Sequence, residues 1–248
     1  VALLHKHDRL LEREDPEASA VLRQVFQHQG MGLILSSQIE RVERSAAGKV
    51  IHFRQNGTSQ SLIVDQILVA VGRQPNLEGL NLAAVGVQSE ERRGVCVNDY
   101  LQTTNPRIYA AGDICMDWKF THAADAAARI VIRNALFAPL GLGRARLSRL
   151  VMPWTTYTLP EVAHVGLSPQ EAACQNIPVE TIRVPMTEVD RAIADAAIEG
   201  FVKIYHRRGR DQILGATIVA PHAGEMINEI TLAITQGIGL NQLANVIH

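Results

Sequence analysis

The first 35 residues contain two short apolar runs separated by one stretch with helical spacing. Residues 1–4 are all apolar and predict a buried strand. Asp15-Pro16-Glu17 is typical of a helix start, with proline in the first turn and acids near the positive end of the helix dipole. Gly30 is placed to end that helix. A second apolar run at 31–35 completes a strand-helix-strand unit, which favours parallel pairing of the two strands.

Short alternating stretches follow at residues 38–63, with turns at Ala47-Gly48 and Asn56-Gly57. Because Asn-Gly is the strongest short hairpin signal, this region predicts an antiparallel meander. The continuous apolar run at 66–72 then predicts a strand in a sheet that is covered on both faces. A further short strand is predicted at 108–111.

An alanine-rich helix is predicted from His122 to about Phe137, and residues 139–149, with two glycines and three arginines, predict a linker. Strands are expected at 151–157, 162–165, 202–205 and 213–219, the last two as an antiparallel pair around Gly209. Ser168-Pro169-Gln170-Glu171 is a capping box that predicts a helix start. The last predicted helix covers about 224–236 and carries an apolar stripe of Met226, Ile230, Ala233 and Ile234.

The composition is that of an ordinary globular protein, with 47% apolar and 20% charged residues. The net charge of −1 indicates neither a nucleic-acid nor an acidic-membrane partner, and no apolar run is long enough to span a bilayer. Cys96, Cys115 and Cys174 are too scattered for a disulfide framework and favour free thiols in a cytoplasmic protein. No metal site is predicted. Since Val1 opens directly in a strand and His248 directly follows an apolar segment, we expect part of a longer chain.

Four runs, in register over essentially the whole chain, resemble the flavoprotein disulfide reductases, the family of dihydrolipoamide dehydrogenase, glutathione reductase and mercuric reductase. Residues 69–76, VAVGRQPN, are similar to the exit from that family's NAD(P) domain, and residues 108–113, IYAAGD, to its second FAD motif. Residues 157–166 and 215–229 are similar to its C-terminal interface domain.

The resemblance implies an α/β plus α+β fold. Incomplete NAD(P)- and FAD-binding Rossmann-like domains at 1–73 and 74–146 would precede an α+β dimerisation domain at 147–248. It also implies a parent enzyme that moves a hydride from a nicotinamide cofactor to FAD and then passes electrons to a disulfide, a metal ion or a similar acceptor. A homodimer would form through residues 147–248, with Met226, Ile230 and Ile234 as the apolar helix face.

The predicted FAD residues surround a strand that ends in Gly112-Asp113. Glycine allows the backbone to approach a ligand closely, and Asp113 at the carboxyl edge of the sheet is placed to accept a hydrogen bond from a ribityl hydroxyl. The alternative for Asp113 is a turn residue that binds its own backbone. The resemblance also places four residues beside the isoalloxazine ring: Lys119, Phe120, Thr121 and His122. The alternative for His122 is a capping or surface histidine.

For the nicotinamide cofactor, the resemblance places the backbones of Gly72 and Ile39 against the dinucleotide, with a core position as the alternative for Ile39. The strand at 1–4 would end beside the adenine ribose, where an acid selects NAD and a base selects NADP. Lys6 and His7 occupy this turn, which favours NADPH over NADH. The alternative is a solvated basic turn.

The sequence departs from the family at two important features. Complete members have a Gly-x-Gly-x-x-Gly turn for each dinucleotide and a redox-active cysteine pair, and neither occurs in residues 1–248. His248 lies near the expected acid/base histidine of the family, as a neighbour or as the catalyst itself. Two alternatives therefore stay open: a thiol-independent transhydrogenase-type enzyme and a non-catalytic dimerisation module.

Overall fold

The computed structural model describes residues 1–247. The chain divides into two compact units, one formed by residues 1–68 together with the chain from Pro153 onward, and the other by residues 69–152. The division of the sequence at 73 and 146 rests on the resemblance and stays a prediction. None of the described helices is long and apolar enough to cross a membrane.

The first unit begins with β1 (Ala2–Leu4), α1 (Pro16–His28) and β2 (Gly32–Ile34). β1 and β2 pair in parallel, as predicted. The Asp15 side chain caps α1 by accepting a hydrogen bond from the Glu17 amide at 2.7 Å. Gly30 follows the helix with a φ of 75°, and its amide and that of Met31 donate to carbonyls of the last turn. The predicted glycine terminator is therefore confirmed.

An antiparallel meander follows, formed by β3 (Ser37–Ser45), β4 (Gly48–Gln55) and β5 (Thr58–Val64). The turn between β4 and β5 has positive φ at both Asn56 and Gly57, the conformation that Asn-Gly favours in a two-residue hairpin. The strand predicted at 66–72 is wrong. Among the described residues, no strand pairs with this run, so the backbone hydrogen bonds that a strand requires are not made. Its side chains are also exposed, by 92% at Leu68, 73% at Val69 and 87% at Val71.

The second unit contains β6 (Ser89–Glu90), β7 (Gly94–Val95) and α2 (Thr121–Leu136). The strand predicted at 108–111 is reduced to an isolated bridge between Tyr109 and Gln102, and a 3₁₀ turn covers Gly112–Ile114. The predicted helix is confirmed and begins one residue earlier than expected. Its buried residues Ala123, Ala127 and Ile130 pack in a core with residues that precede and follow the helix, including Leu101, Met116 and Met152.

The chain from Pro153 forms a five-stranded antiparallel sheet in the order β10-β11-β12-β9-β8. Its strands are β8 (Pro153–Thr156), β9 (Glu161–Gly166), β10 (Val179–Pro185), β11 (Phe201–Arg207) and β12 (Ile213–Ala220), and its helices are α3 (Pro169–Cys174), α4 (Asp190–Ala194), α5 (Ala223–Gln236) and α6 (Leu240–Leu243). The capping box is confirmed, since Ser168 accepts from the Glu171 amide and Glu171 accepts from the Ser168 amide. The antiparallel pair around Gly209 is β11 with β12.

The apolar stripe of α5 differs from the one predicted. Ile230 and Ala233 are buried at 6% and 1% exposure, whereas Met226 is 40% exposed. The first two lie with Ile227 on the face that packs against the sheet, which leaves Met226 and Leu232 as the apolar residues exposed on α5. Ile230 is therefore a core residue, and it is wrong as part of the exposed face in the dimer prediction.

α1 is packed against the C-terminal sheet through a shared core. Six fully or nearly fully buried residues form it: Leu10, Ala18, Leu22, Val162, Phe201 and Val219. This contact between distant parts of the chain joins the strand-helix-strand segment to the sheet as one unit.

Candidate functional site

The turn at Gly112-Asp113 lies against the first turns of α2. Gly112 is buried and has a φ of 80°, a conformation that L side chains rarely adopt. A Cβ at this position would lie 3.0 Å from the Ala124 Cβ. Glycine is required here for its conformation and for the close approach to α2.

Two basic side chains hold this turn together. Arg73 Nη1 donates to the Asp113 carboxylate at 3.1 Å and to the Lys119 carbonyl at 2.8 Å. Lys119 Nζ donates to the carbonyls of Asp113 and Met116 at 3.2 and 3.0 Å. The Asp113 side chain nevertheless remains 45% exposed, so its carboxylate is accessible to a ligand.

The segment that enters α2 carries the other predicted FAD residues. Phe120 is the N-cap residue, and its side chain makes no capping hydrogen bond. The rings of Phe120 and His122 are stacked, with centroids 5.4 Å apart and planes inclined by 10°. Thr121 and His122 are exposed. The structure therefore brings all six residues to one turn and one helix start, where backbone amides and the helix dipole favour an electron-rich group.

Gly94 is a part of this arrangement that sequence reasoning missed. It lies in β7 with a φ of 88°, and a Cβ there would lie 1.8 Å from the Ile114 carbonyl oxygen. This overlap means that β7 supports the back of the Gly112-Asp113 turn. Only tertiary structure brings the two segments together, although an isolated glycine in a strand signals a close backbone approach.

The predicted nicotinamide-side residues in the first unit lie at the carboxyl end of the β1–β2 pair. Lys6 is exposed and His7 is partly exposed in the turn after β1. The His5 and His7 carbonyls accept from the amides of Ser37 and Ser36, at the entry to β3. Ile39 lies two residues further along β3 and is 50% exposed, which disagrees with the alternative of a core residue.

Glu12 brings an acid to this turn that the spacing of the sequence did not reveal. Its two carboxylate oxygens lie 3.4 Å from His5 Nε2 and 3.4 Å from His7 Nε2. Burial opposes ionisation, but a hydrogen bond from its own backbone and the two histidines outweigh it and lower the pKa of Glu12. The turn therefore combines a basic residue, Lys6, with two histidines that lie beside a carboxylate.

Gly72 lies in the second unit with a φ of 112°, and a Cβ there would have no neighbour within 4 Å. Its positive φ is compatible with a close backbone approach to a ligand. The His248 prediction falls outside the described residues.

A buried polar network fastens α1 to the C-terminal sheet. The Asp15 carboxylate accepts from Lys203 Nζ and from the Tyr205 hydroxyl, both at 2.9 Å. Thr217 Oγ1 lies 2.9 Å from the Tyr205 hydroxyl and from His164 Nδ1. Burial lowers the pKa of His164, so the ring is neutral, and its Nε2 proton is donated to the Gly166 carbonyl at 3.1 Å.

The same network determines the ionisation of its two acidic groups. Burial raises the pKa of Tyr205, as does the adjacent Asp15. Burial also opposes ionisation of Asp15, but hydrogen bonds from Lys203, the Glu17 amide and Tyr205 outweigh it and lower the pKa of Asp15. Asp15 is therefore charged and paired where α1 meets the sheet.

The three cysteines are free, and two of them, Cys96 and Cys115, are partly buried. Burial raises the pKa of the Cys115 thiol to about 11, so this thiol is protonated at neutral pH. A protonated thiol is a poor nucleophile, which argues against a redox role for Cys115 despite its position two residues after Asp113.

Comparison with known proteins places these features in a family. Residues 1–128 match the family profile described as pyridine nucleotide-disulphide oxidoreductase, and residues 152–248 match the dimerisation domain of the same family. The mercuric reductase of Staphylococcus aureus is 35% identical over 245 residues, covering 99% of this chain and 44% of that protein. A dihydrolipoyl dehydrogenase of Chlamydia trachomatis is 31% identical over 248 residues, covering all of this chain and 51% of its own length.

A solved structure agrees with these relatives. The crystal structure of LpdA from Mycobacterium tuberculosis is similar with a TM-score of 0.89 and 29% identity, over the whole of this chain and 52% of that one. The chain thus spans about half the length of the relatives it matches. With profiles of both domains matched in order along the sequence, the chain belongs to the pyridine nucleotide-disulphide oxidoreductase family.

Proposed function

We propose that the full-length protein is a cytoplasmic, FAD-dependent oxidoreductase that takes a hydride from NADPH and passes electrons to a disulfide, a metal ion or a similar acceptor. One observation carries the proposal: the Gly112-Asp113 turn, bound by Arg73 and Lys119, lies directly against the first turns of α2. The three free, scattered cysteines agree with a reducing compartment.

The residues present fit a flavin. Gly112 and Gly94 give the turn a shape that any Cβ would obstruct, and Asp113 offers an accessible carboxylate for a ribityl hydroxyl. The amides at the start of α2 stabilise negative charge at the pyrimidine side of the ring. When bound, FAD supplies hydride acceptance and electron transfer. The residues of this chain bind and orient it, and Phe120 and His122 provide a flat aromatic pair beside the helix start.

The preference for NADPH rests on the turn after β1. Lys6 is exposed and basic at the position that faces the adenine ribose in this fold, and His7 lies next to it. Glu12 lies 3.4 Å from His7 and adds a negative charge, so Lys6 is the principal group for a 2′-phosphate. The backbones of Ile39 and Gly72 are proposed to contact the remainder of the dinucleotide.

The electron acceptor is proposed as a class only. One relative named above is a mercuric reductase, whose name gives a metal ion as the substrate. Another is a dihydrolipoyl dehydrogenase, whose name gives a dithiol that forms a disulfide. Neither the cysteine pair nor the pyrophosphate-binding turns that would act with these residues occur in residues 1–248. The transhydrogenase-type enzyme and the non-catalytic module therefore remain the alternatives that an assay must separate.

The test uses the purified full-length protein. We expect bound FAD, NADPH oxidation with a disulfide or metal-ion acceptor, and about ten- to hundredfold weaker FAD retention in Asp113→Ala, since one charge-assisted hydrogen bond contributes about 1.5–3 kcal/mol. Asp117→Ala, which removes an exposed acid four residues away, is the matched control and should retain FAD. A protein without FAD would support the non-catalytic module. Hydride exchange between nicotinamides without reduction of any acceptor would support the transhydrogenase.

Homodimerisation through residues 147–248 is proposed from the match to the dimerisation domain. Met226 and Leu232, 40% and 58% exposed, are the apolar residues that α5 offers to a partner. Light scattering of the full-length protein is expected to give a dimer, and Leu232→Glu to weaken it. A monomer at micromolar concentration would contradict this proposal.

A further inference from the structure

The five strands of the C-terminal sheet each contribute one residue to a row that crosses the sheet. In the antiparallel register Arg183 is opposite Lys203, Lys203 is opposite Thr217, Thr217 is opposite His164, and His164 is opposite Trp154. Residues directly opposite one another lie on the same face of a sheet. We call these five residues the cross-strand row.

Three acids around the start of α1 bind this row at separate points. Glu17 Oε1 accepts from Arg183 Nε at 2.7 Å. The Asp15 carboxylate accepts from the lysine of the row at 2.9 Å. Glu14 Oε1 accepts from the indole Nε1 of Trp154 at 2.7 Å. Because Arg183 and Trp154 lie on the two edge strands, β10 and β8, the contact extends across the whole sheet.

Glu14 and Asp15 are adjacent in the chain, but their carboxylates are satisfied to different degrees. Asp15 accepts from three groups, including the Lys203 ammonium. Among residues 1–247, Glu14 accepts from Trp154 alone, and no basic side-chain nitrogen lies within 4 Å of its carboxylate. Its second oxygen, Oε2, is buried without a hydrogen-bond partner in the same part of the chain. Glu14 is thus a buried carboxyl group with one donor and no counter-charge.

A carboxyl group in this position is costly to ionise. A buried charge without a counter-ion loses its hydration, and a carboxylate avoids this cost by binding a proton. Burial raises the pKa of Glu14 against the opposing hydrogen bond from Trp154, and the negative charge of Asp15 raises it further. Additional chain would not expose Oε2, because residues 1–247 already enclose this atom. Packing of α1 on the sheet therefore favours a protonated Glu14.

We propose that the junction between α1 and the C-terminal sheet is a proton-sensitive contact, in which Glu14 binds a proton from the solvent as α1 packs against the cross-strand row. The folded pKa of Glu14 is raised, so its contribution to stability is complete below the unfolded pKa of about 4.3 and is lost as the pH rises through the folded pKa. Asp15 responds in the opposite direction, because its folded pKa is lowered. The two adjacent acids therefore limit the contact from opposite sides of the pH scale.

The other ionisable groups of the junction do not reproduce the response of Glu14. Burial lowers the pKa of His164, so its contribution is lost as the pH falls from the unfolded value of about 6.5. Burial raises the pKa of Tyr205, which keeps its hydroxyl neutral. Burial opposes ionisation of Glu17, but hydrogen bonds from Arg183 and Lys203 outweigh it and lower the pKa of Glu17. A loss of stability as the pH rises from mildly acidic to neutral is therefore specific to Glu14.

The test is hydrogen exchange of the full-length protein from about pH 5 to about pH 8, measured by mass spectrometry on peptides that cover residues 14–22. Rates are corrected for intrinsic exchange at each pH. Glu14→Gln resembles the protonated acid at every pH, so the ratio of its protection to that of the wild type should rise with pH. Glu91→Gln, in the other unit, should follow the wild type throughout. A ratio for Glu14→Gln that stays constant or falls with pH overturns the proposal.

Trp154→Phe provides a second check by removing the single donor to Glu14. At the acidic end of the range the lost bond joins two neutral groups, so protection of the same peptides should fall by about fivefold. The loss should grow as the pH rises, because the ionised carboxylate then has no donor. Trp118→Phe, in the other unit, should leave these peptides unchanged. A loss in Trp154→Phe that shrinks as the pH rises contradicts the proposal.

Discussion

The two proposed cofactor regions are built differently. The flavin side depends mainly on backbone groups, namely a positive-φ glycine, carbonyls bound by Lys119 and helix amides, with the Asp113 carboxylate beside them, all within residues 69–152. The cofactor preference of the nicotinamide side is proposed to depend on the side chains of one turn, Lys6, His7 and Glu12. α1 follows this turn and packs against a sheet about 150 residues away in the sequence. Backbone geometry tolerates little substitution, whereas charged side chains are adjustable. The comparison predicts a rigid flavin site and a tunable nicotinamide site.

Gly112→Val should have the largest effect. It places a β-branched residue at a φ of 80° and a Cβ 3.0 Å from Ala124, which combines backbone strain with crowding. We expect about hundredfold weaker FAD retention in the full-length protein, equivalent to about 3 kcal/mol. Gly79→Val is the matched control, because its φ of 76° gives the same strain with no neighbour within 4 Å. FAD absorbance after gel filtration measures both, and equal losses would mean that close packing at Gly112 has no special role.

Lys6→Ala should lower kcat/KM for NADPH by about ten- to hundredfold, since a charge-assisted contact to phosphate contributes about 1.5–3 kcal/mol. The value for NADH should change little, because NADH lacks the 2′-phosphate. Arg23→Ala, an exposed basic residue on α1, removes the same charge without touching the turn. Steady-state kinetics with both cofactors decide. A wild-type preference for NADH, or an unchanged NADPH value in Lys6→Ala, contradicts the NADPH proposal.

Asp15→Asn tests whether the nicotinamide side depends on the buried network. Asparagine retains the helix cap but removes the charge of one of the two carboxylates that pair with Lys203, the other being Glu17 at 2.8 Å. We therefore expect a loss of about 1–3 kcal/mol in stability at neutral pH. The folded pKa of Asp15 is lowered, so its stabilisation is complete above the unfolded pKa and disappears as the pH falls through the folded pKa. The difference between wild type and variant should therefore shrink below about pH 4. Thermal unfolding against pH checks this, with Asp8→Asn on the exposed turn as control.

Glu12→Gln should have the smallest effect. It removes a negative charge 3.4 Å from His7, so NADPH should bind up to about fivefold more tightly, in line with about 1 kcal/mol for an exposed charge pair. The gain should fade at high salt. KM for NADPH in dilute and concentrated salt is the measurement, and Glu91→Gln, an exposed acid in the other unit, is the control. A weaker affinity would mean that Glu12 acts mainly by positioning His7.

Local patterns determined much of this protein. The helix start at Asp15-Pro16-Glu17, the glycine terminator of α1, the Asn-Gly hairpin and the capping box at Ser168 appear in the structure as predicted, because each depends on neighbours within a few residues. The family motif around Gly112 also indicated the residues proposed to bind the flavin, and the structure gathers them at one turn and one helix start.

Tertiary structure decided the remainder, because distant contacts have no local signature. The apolar run at 66–72 predicts a strand, yet without a pairing neighbour among the described residues it stays exposed, while the similar run in β12 is buried between β9 and β11. The helical spacing placed Ile230 on the predicted dimer face, but in the structure this side chain is buried against the sheet. Glu12 lies beside His5 and His7 because the turn folds back on itself. Gly94 lies against Ile114 because β7 packs behind the Gly112-Asp113 turn. Composition and spacing specify which groups are available, and burial and backbone pairing decide where they act.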